Sequence, residues 1–211
     1  MKTRKLASAL MGAGLLASAS MAQALLITSP FSGPQTVVTF DNFLGLETSG
    51  PVSVGPGVMF SGSPSTLGAD IADLGNNGLW GAGKIFAGLG TSTSFGPGQM
   101  TFAFSSATSA VGAFVNVFAP TGSFTLSAFG ESGDLLESYL IGVDTPGGFN
   151  EGRFVGIQRA MDIRSVSFSG TGVVLDDLTV AIPLPAGAWL LFGGLAMLGA
   201  AGRRKRTASA V

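Results

Sequence analysis

The 211-residue chain contains neither cysteine nor histidine. Without cysteine no disulfide can staple it, so its stability must come from packing. Without histidine it loses the commonest general base, and with both absent it loses the usual ligands of zinc and copper. Of the metals, only hard cations that prefer oxygen, such as calcium, stay open. Charge is scarce as well, at 11 % of residues. There is no G-x-S-x-G elbow, no Walker loop and no H-E-x-x-H helix, so no sequence motif points to catalysis.

What the chain does have is phenylalanine, 16 of them, glycine, 33 of them, and an uncharged run near each end. Residues 1–24 read as a secretory signal peptide. Lys2, Arg4 and Lys5 make the basic start, Leu6 to about Ala19 the apolar middle, and Ala22, Gln23 and Ala24 the small-x-small site. Cleavage is expected after Ala24, with Ala22 a second position. At the other end, Leu184 to Gly202 carries no charge over nineteen residues. As a helix it would reach roughly 28 Å, enough to cross a bilayer core. Pro183 and Pro185 keep that helix from starting before Pro185, Trp189 suits the lipid interface, and Arg203, Arg204, Lys205 and Arg206 form a basic stop that stays in the cytoplasm. The division is therefore 1–24, signal peptide; 25–181, one domain; 182–206, tail; and 207–211, a cytoplasmic end.

The tail IPLPAGAWLLFGGLAMLGAAGRRKR, proline joint then short apolar helix then basic stop, resembles the PEP-CTERM class of protein-sorting tails, most closely its VPLPA variant, with Ile182 where that variant has valine. The resemblance implies an exosortase-type membrane protease as partner, Pro183, Leu184, Pro185 and Ala186 as the recognition motif, and release to the cell surface or its polysaccharide matrix. An ordinary membrane anchor is the alternative. The body segments TVVTFDNF, SAVGAFVNV and FVGIQRAMDIRSVSFSGTGVVLDDLTV are similar to β-sandwich bodies that stand in front of such tails. That likeness implies an extracellular setting and no established activity.

Between the ends, Leu25 to Ile182 holds four basic residues, Lys84, Arg153, Arg159 and Arg164, against all twelve acidic ones, a net charge of −8. Such a body has no basic patch for nucleic acid or an anionic membrane, which leaves the membrane as a partner only through the C-terminal helix. Its length suits one domain with a sizeable core. Segments rich in β-branched and aromatic residues recur between glycine, proline and serine, and no helical period appears. Nine strands are predicted: Thr36 to Phe40, Val52 to Phe60, Gln99 to Ser105, Val111 to Phe118, Ser123 to Phe129, Leu135 to Ile141, Arg153 to Ile157, Ile163 to Ser169 and Val173 to Ala181. Val111, Ala113, Val115 and Val117 share one face while Phe114 and Phe118 share the other, which makes this strand central. Glu131 to Asp134 reads as a hairpin turn. Ser61 to Gly98 reads as long loops with a short strand at Lys84 to Ala87. The pattern is that of an all-β, antiparallel, jelly-roll-like sandwich.

Asp176 and Asp177 in the last strand are the most pointed chemical signal. In a regular strand Asp176 would fall with Val174, Leu178 and Val180, and Asp177 with Leu175 and Thr179, so one carboxylate is expected to be partly buried. It then needs donors or a cation. One expectation is a calcium site in which Asp41 or Asn42 joins Asp176 or Asp177; the other is a carboxylate satisfied by backbone amides or by Arg164. Asp70, Asp73, Asn76 and Asn77 lack the order of a calcium loop and are better explained as Asx turns. Trp80, Phe86, Tyr139 and Phe149 are the aromatics to inspect for sugar stacking, Trp80 and Phe149 first.

Three functions fit: a secreted, surface-sorted matrix protein that binds exopolysaccharide, a structural envelope protein without a small ligand, and a glycan-cleaving enzyme built on a carboxylate pair. The resemblance of the tail favours the first, and the lack of a catalytic motif gives the last the least support.

Overall fold

The computed structural model describes residues 24–70, 85–91, 94, 96–117, 121–144 and 153–182. The expected signal peptide up to residue 23, the expected sorting tail from residue 183, Trp80 and Phe149 lie outside the described residues. Among the described residues the chain forms twelve β-strands and no helix: β1 (Leu25–Ile27), β2 (Gln35–Val38), β3 (Leu46–Thr48), β4 (Val52–Gly55), β5 (Val58–Gly62), β6 (Ser65–Asp70), β7 (Ile85–Leu89), β8 (Pro97–Val117), β9 (Thr121–Phe129), β10 (Leu135–Asp144), β11 (Arg153–Thr171) and β12 (Val173–Ala181). Every pairing between them is antiparallel.

The strand count differs from the nine expected, and in both directions. The expected strands at Gln99 to Ser105 and Val111 to Phe118 are one 21-residue strand, β8, and those at Arg153 to Ile157 and Ile163 to Ser169 are one 19-residue strand, β11. The polar breaks between them are bends, marked by register shifts between Gln158 and Ile163 and between Ile163 and Ser165. A bend needs no turn residue, so turn chemistry could not reveal that the strands continue. Val52 to Phe60 splits instead into the hairpin of β4 and β5. β1 and β3, three residues each, carry too few residues for any period to show, and β6, six residues with one glycine, lies within the Ser61 to Gly98 stretch expected as loops.

The two bent strands run through both halves of the domain. The N-terminal half of β8 and the C-terminal half of β11 belong to a first sheet ordered β4-β5-β8-β11-β9-β10. The other halves belong to a second sheet in which β1 borders β11 and β12 borders β8. On its far side β12 takes two partners in succession, β7 at Val174 and Leu175 and β2 from Leu178 to Ala181, with β6 and β3 beyond β7. The two sheets fold over one core. Phe102 of the first lies 6.1 Å from Phe40, just past β2 of the second, and 5.7 Å from Phe60 on the neighbouring β5, ring centroid to centroid. Val111, Ala113, Val115 and Val117 enter this core from β8, as their alternation required, and β8 is central. The hairpin turn at Glu131 to Asp134 forms as expected: Gly133 takes φ 77° and the Gly130 amide donates to the Asp134 carbonyl at 2.9 Å.

Candidate functional site

Two places in the described body combine polar side chains with an unusual setting. One is the Asp176–Asp177 step of β12; the other is the outer face of the first sheet.

β12 is not regular. Asp176 pairs with Phe114 and Thr179 with Gly112, three residues against two, so one extra residue sits in β12. Asp177 absorbs it with φ 48°. This bulge overturns the side-chain assignment expected for a regular strand. Asp176 does share a face with Val174, but Leu178 and Val180 are turned to the main core with Val173 and Leu175. The bulge falls where the partner of β12 changes from β7 to β2. Phe40, just past β2, also takes a left-handed φ of 59°, so both sides of the junction depart from strand geometry.

Asp176 is 1 % exposed. Burial pushes its carboxyl up to about 7; the Asp177 amide, donating to Oδ1 at 2.7 Å, opposes that shift, while the charges of Asp177 and Asp41 add to it. The expected amide partner is therefore present. Arg164 is not: its guanidinium donates to the Ser105 carbonyl and to Glu131. Asp41 and Asn42 are exposed, and Asp41 accepts a hydrogen bond from Thr39 at 2.7 Å. Among the described residues no three acidic side chains gather as metal ligands.

One neighbour of Asp176 escaped the sequence reading. Asn116 on β8 pairs with Val174 and so shares its face, a diagonal step from Asp176. It is fully buried, its Oδ1 accepts from the Val117 amide at 2.8 Å, and its Nδ2 has no hydrogen-bond partner. The signal was a lone asparagine in the run Val115-Asn116-Val117. With Phe86, 2 % exposed, and Phe154, these residues form a buried patch on the side of the second sheet away from the main core. Of the aromatics to inspect, Phe86 is thus buried and no sugar platform; it sits on β7 beside β12. Tyr139 is half-buried against the core, and burial together with Glu137 raises its phenol pKa.

The outer face of the first sheet is of another kind. Ser61 of β5 lies beside Thr101 of β8, Thr101 beside Ser167 of β11, Ser167 beside Ser127 of β9, and Ser127 beside Ser138 of β10. Five hydroxyl residues thus cross five strands in one row, about 4.8 Å apart. A second row runs through Gln99, Ser169 and Thr125. The rows are joined, since Gln99 donates to Thr101 at 2.9 Å and accepts from Ser169 at 3.2 Å, while Ser127 and Ser138 lie 2.9 Å apart. None of these residues is charged. Alternation explains the face: Phe102, Val166, Phe168 and Leu126 point inward from the positions between. Ser127 and Ser167, at the centre, are closed in by their neighbours, whereas Gln99, Ser123 and Ser138 are exposed.

No protein-family model and no curated protein matches the chain. Among solved structures, a cleaved adhesin domain of Lys-gingipain matches with 12 % identity and TM-score 0.35, over 76 % of this chain and all of that one. An isomalto-dextranase of Arthrobacter globiformis T6, complexed with panose, matches with 14 % identity and TM-score 0.36, over 75 % of this chain and 34 % of that one. Likeness at this level carries no information on function.

Proposed function

We propose that this chain is a non-enzymatic, exported surface protein whose jelly-roll-like body binds a neutral exopolysaccharide through the hydroxyl face of its first sheet. The observation that carries the reading is the uncharged face formed by the accessible Gln99, Thr101, Thr125 and Ser138 around the buried Ser127 and Ser167, on a body of net charge −8. Hydroxyls and an amide on a flat sheet offer donors and acceptors at a regular spacing to the hydroxyls of a sugar chain, and the absence of charge spares the desolvation that an ionic face would suffer. The export half of the reading rests on residues 1–24 and on the tail from Ile182 to Arg206, through which the secretion machinery and an exosortase-type protease would deliver the body to the surface. Asp176 has the raised pKa of a general acid, but at 1 % exposure it is out of reach of a glycan, which is why binding is preferred to cleavage.

Thr101→Val with Thr125→Val removes two hydroxyls and keeps the shape and strand propensity of the face. In co-sedimentation with a neutral polysaccharide, the double variant should bind at least about tenfold more weakly, the equivalent of about 1.4 kcal/mol, with an unchanged melting temperature. Equal binding by parent and variant rejects this face as the binding surface.

A further inference from the structure

The direction of the first and last strands places both ends of the body at the same end of the sandwich. Leu25 lies beside Gln158 and Ile27 beside Gly156, so the chain enters β1 from the side of the bends in β8 and β11. β12 starts with Val173 beside Val117 and reaches Val180 beside Val111, so it runs toward that side and leaves there. Only β11 and β8 stand between β1 and β12, which sets entry and exit about 14 Å apart. The exit is pinned. Thr108 donates to the Ala181 carbonyl at 2.7 Å and the Ile182 amide donates to the Pro34 carbonyl at 2.9 Å. Only Pro183 and Leu184 separate Ile182 from Pro185, where the expected helix can start, and a three-residue step spans at most about 10 Å.

We propose that this end of the sandwich is the membrane-facing surface of the precursor, held against the lipid headgroups by both terminal segments at once. The proposal rests on the reading of those segments as membrane-inserted. With a tether of that length the body cannot turn over, and the β4–β5 turn at Pro56 and Gly57, the bend at Ser105 and Ser106, and the Glu131 to Asp134 turn must all stand near the bilayer.

The surface fits that place. Of the nine exposed large apolar residues among the described ones, five are at this end: Leu25, Met59, Leu135, Met161 and Ile182, at 58, 42, 60, 53 and 46 % exposure. Three of its four carboxylates are paired, since Arg159 bridges Glu137 at 2.7 Å and Asp162 at 3.0 Å and Arg164 holds Glu131 at 3.0 Å, while the exposed Asp134 stays outside these bridges. An apolar hollow of about 210 Å³ opens beside Ile182, between Pro56, Phe104, Ser106 and Val180. A processing protease would therefore meet its motif between the body and the bilayer, with no room for a free linker, while the opposite end, about 20 Å away along β8, points outward.

The chain has no cysteine, so an introduced thiol is unique. The test is the full chain in phospholipid vesicles containing brominated lipid, labelled with a fluorophore at Ser106→Cys or Ser132→Cys on this end, and at Thr171→Cys or Ser123→Cys on the other. All four positions are exposed. Quenching should be several-fold stronger at Ser106 and Ser132, and a Gly-Ser insert of about twelve residues after Ile182, spanning about 19 Å, should weaken that contrast while the chain still floats with the vesicles. Equal quenching at both ends in a chain that floats overturns the orientation and leaves the anchor standing. A chain that does not float overturns the anchor, and the orientation with it.

Discussion

Asp176 has a folded-state pKa of about 7 against an ordinary 3.8, so the folded protein holds a proton that the unfolded chain has already lost over that interval. Its contribution to stability is complete below about pH 4 and is lost as pH rises toward 7, a change on the order of 4 kcal/mol if the whole shift is realised. Above pH 7 this group adds no further slope. Asp176→Asn keeps an acceptor for the Asp177 amide. It should flatten the pH profile between 4 and 7 and melt above the parent at pH 8; parallel profiles would mean that the carboxyl is ionised in the fold. Calcium should leave the melting temperature of the chelator-treated protein unchanged, because Asp41 and Asn42 are exposed and, among the described residues, no acidic triad surrounds Asp176. A clear rise would assign Asp176, Asp177 and Asp41 as ligands instead. Asn116 adds a second polar group to the same buried patch, and its unpartnered Nδ2 costs free energy with no visible return in the described residues.

At the scale of the element, the decisive irregularity is the bulge in β12. A left-handed residue there is needed to turn Leu178 and Val180 back into the core after Asp176 has faced away. Asp tolerates that conformation better than a β-branched residue, and glycine better still. Asp177→Val should therefore be less stable than Asp177→Gly by about 1–2 kcal/mol in urea unfolding. The comparison cancels whatever the Asp177 side chain itself contributes. If the two variants unfold alike, the left-handed residue is not required. The bends in β8 and β11 act in the same spirit on a larger scale, since each lets one strand serve two sheets and removes one connection that would otherwise need a loop.

For the whole molecule, the charge and the hydroxyl face make one joint prediction: at low salt the protein should co-sediment with a neutral polysaccharide and not with an acidic one, because a body of net charge −8 is repelled by the latter. Preference for the acidic polymer would point to a basic surface that the described residues do not contain. Much of this protein was determined by its sequence alone. The all-β class followed from the short apolar segments between glycine and proline, the inward face of β8 from Val111, Ala113, Val115 and Val117, the hairpin from Gly133, and the last strand, Val173 to Ala181, to the residue. These are local properties, fixed by period and turn chemistry within a few residues. Register and curvature are not local, and only the tertiary structure decided them. The chain cannot announce that Ser61, Thr101, Ser167, Ser127 and Ser138 stand in one row, because five strands separated by up to dozens of residues must first align. Nor can it announce that Asp176 is buried with Asn116, or that entry and exit share one end, since both depend on which strand lies beside which and where one extra residue is absorbed.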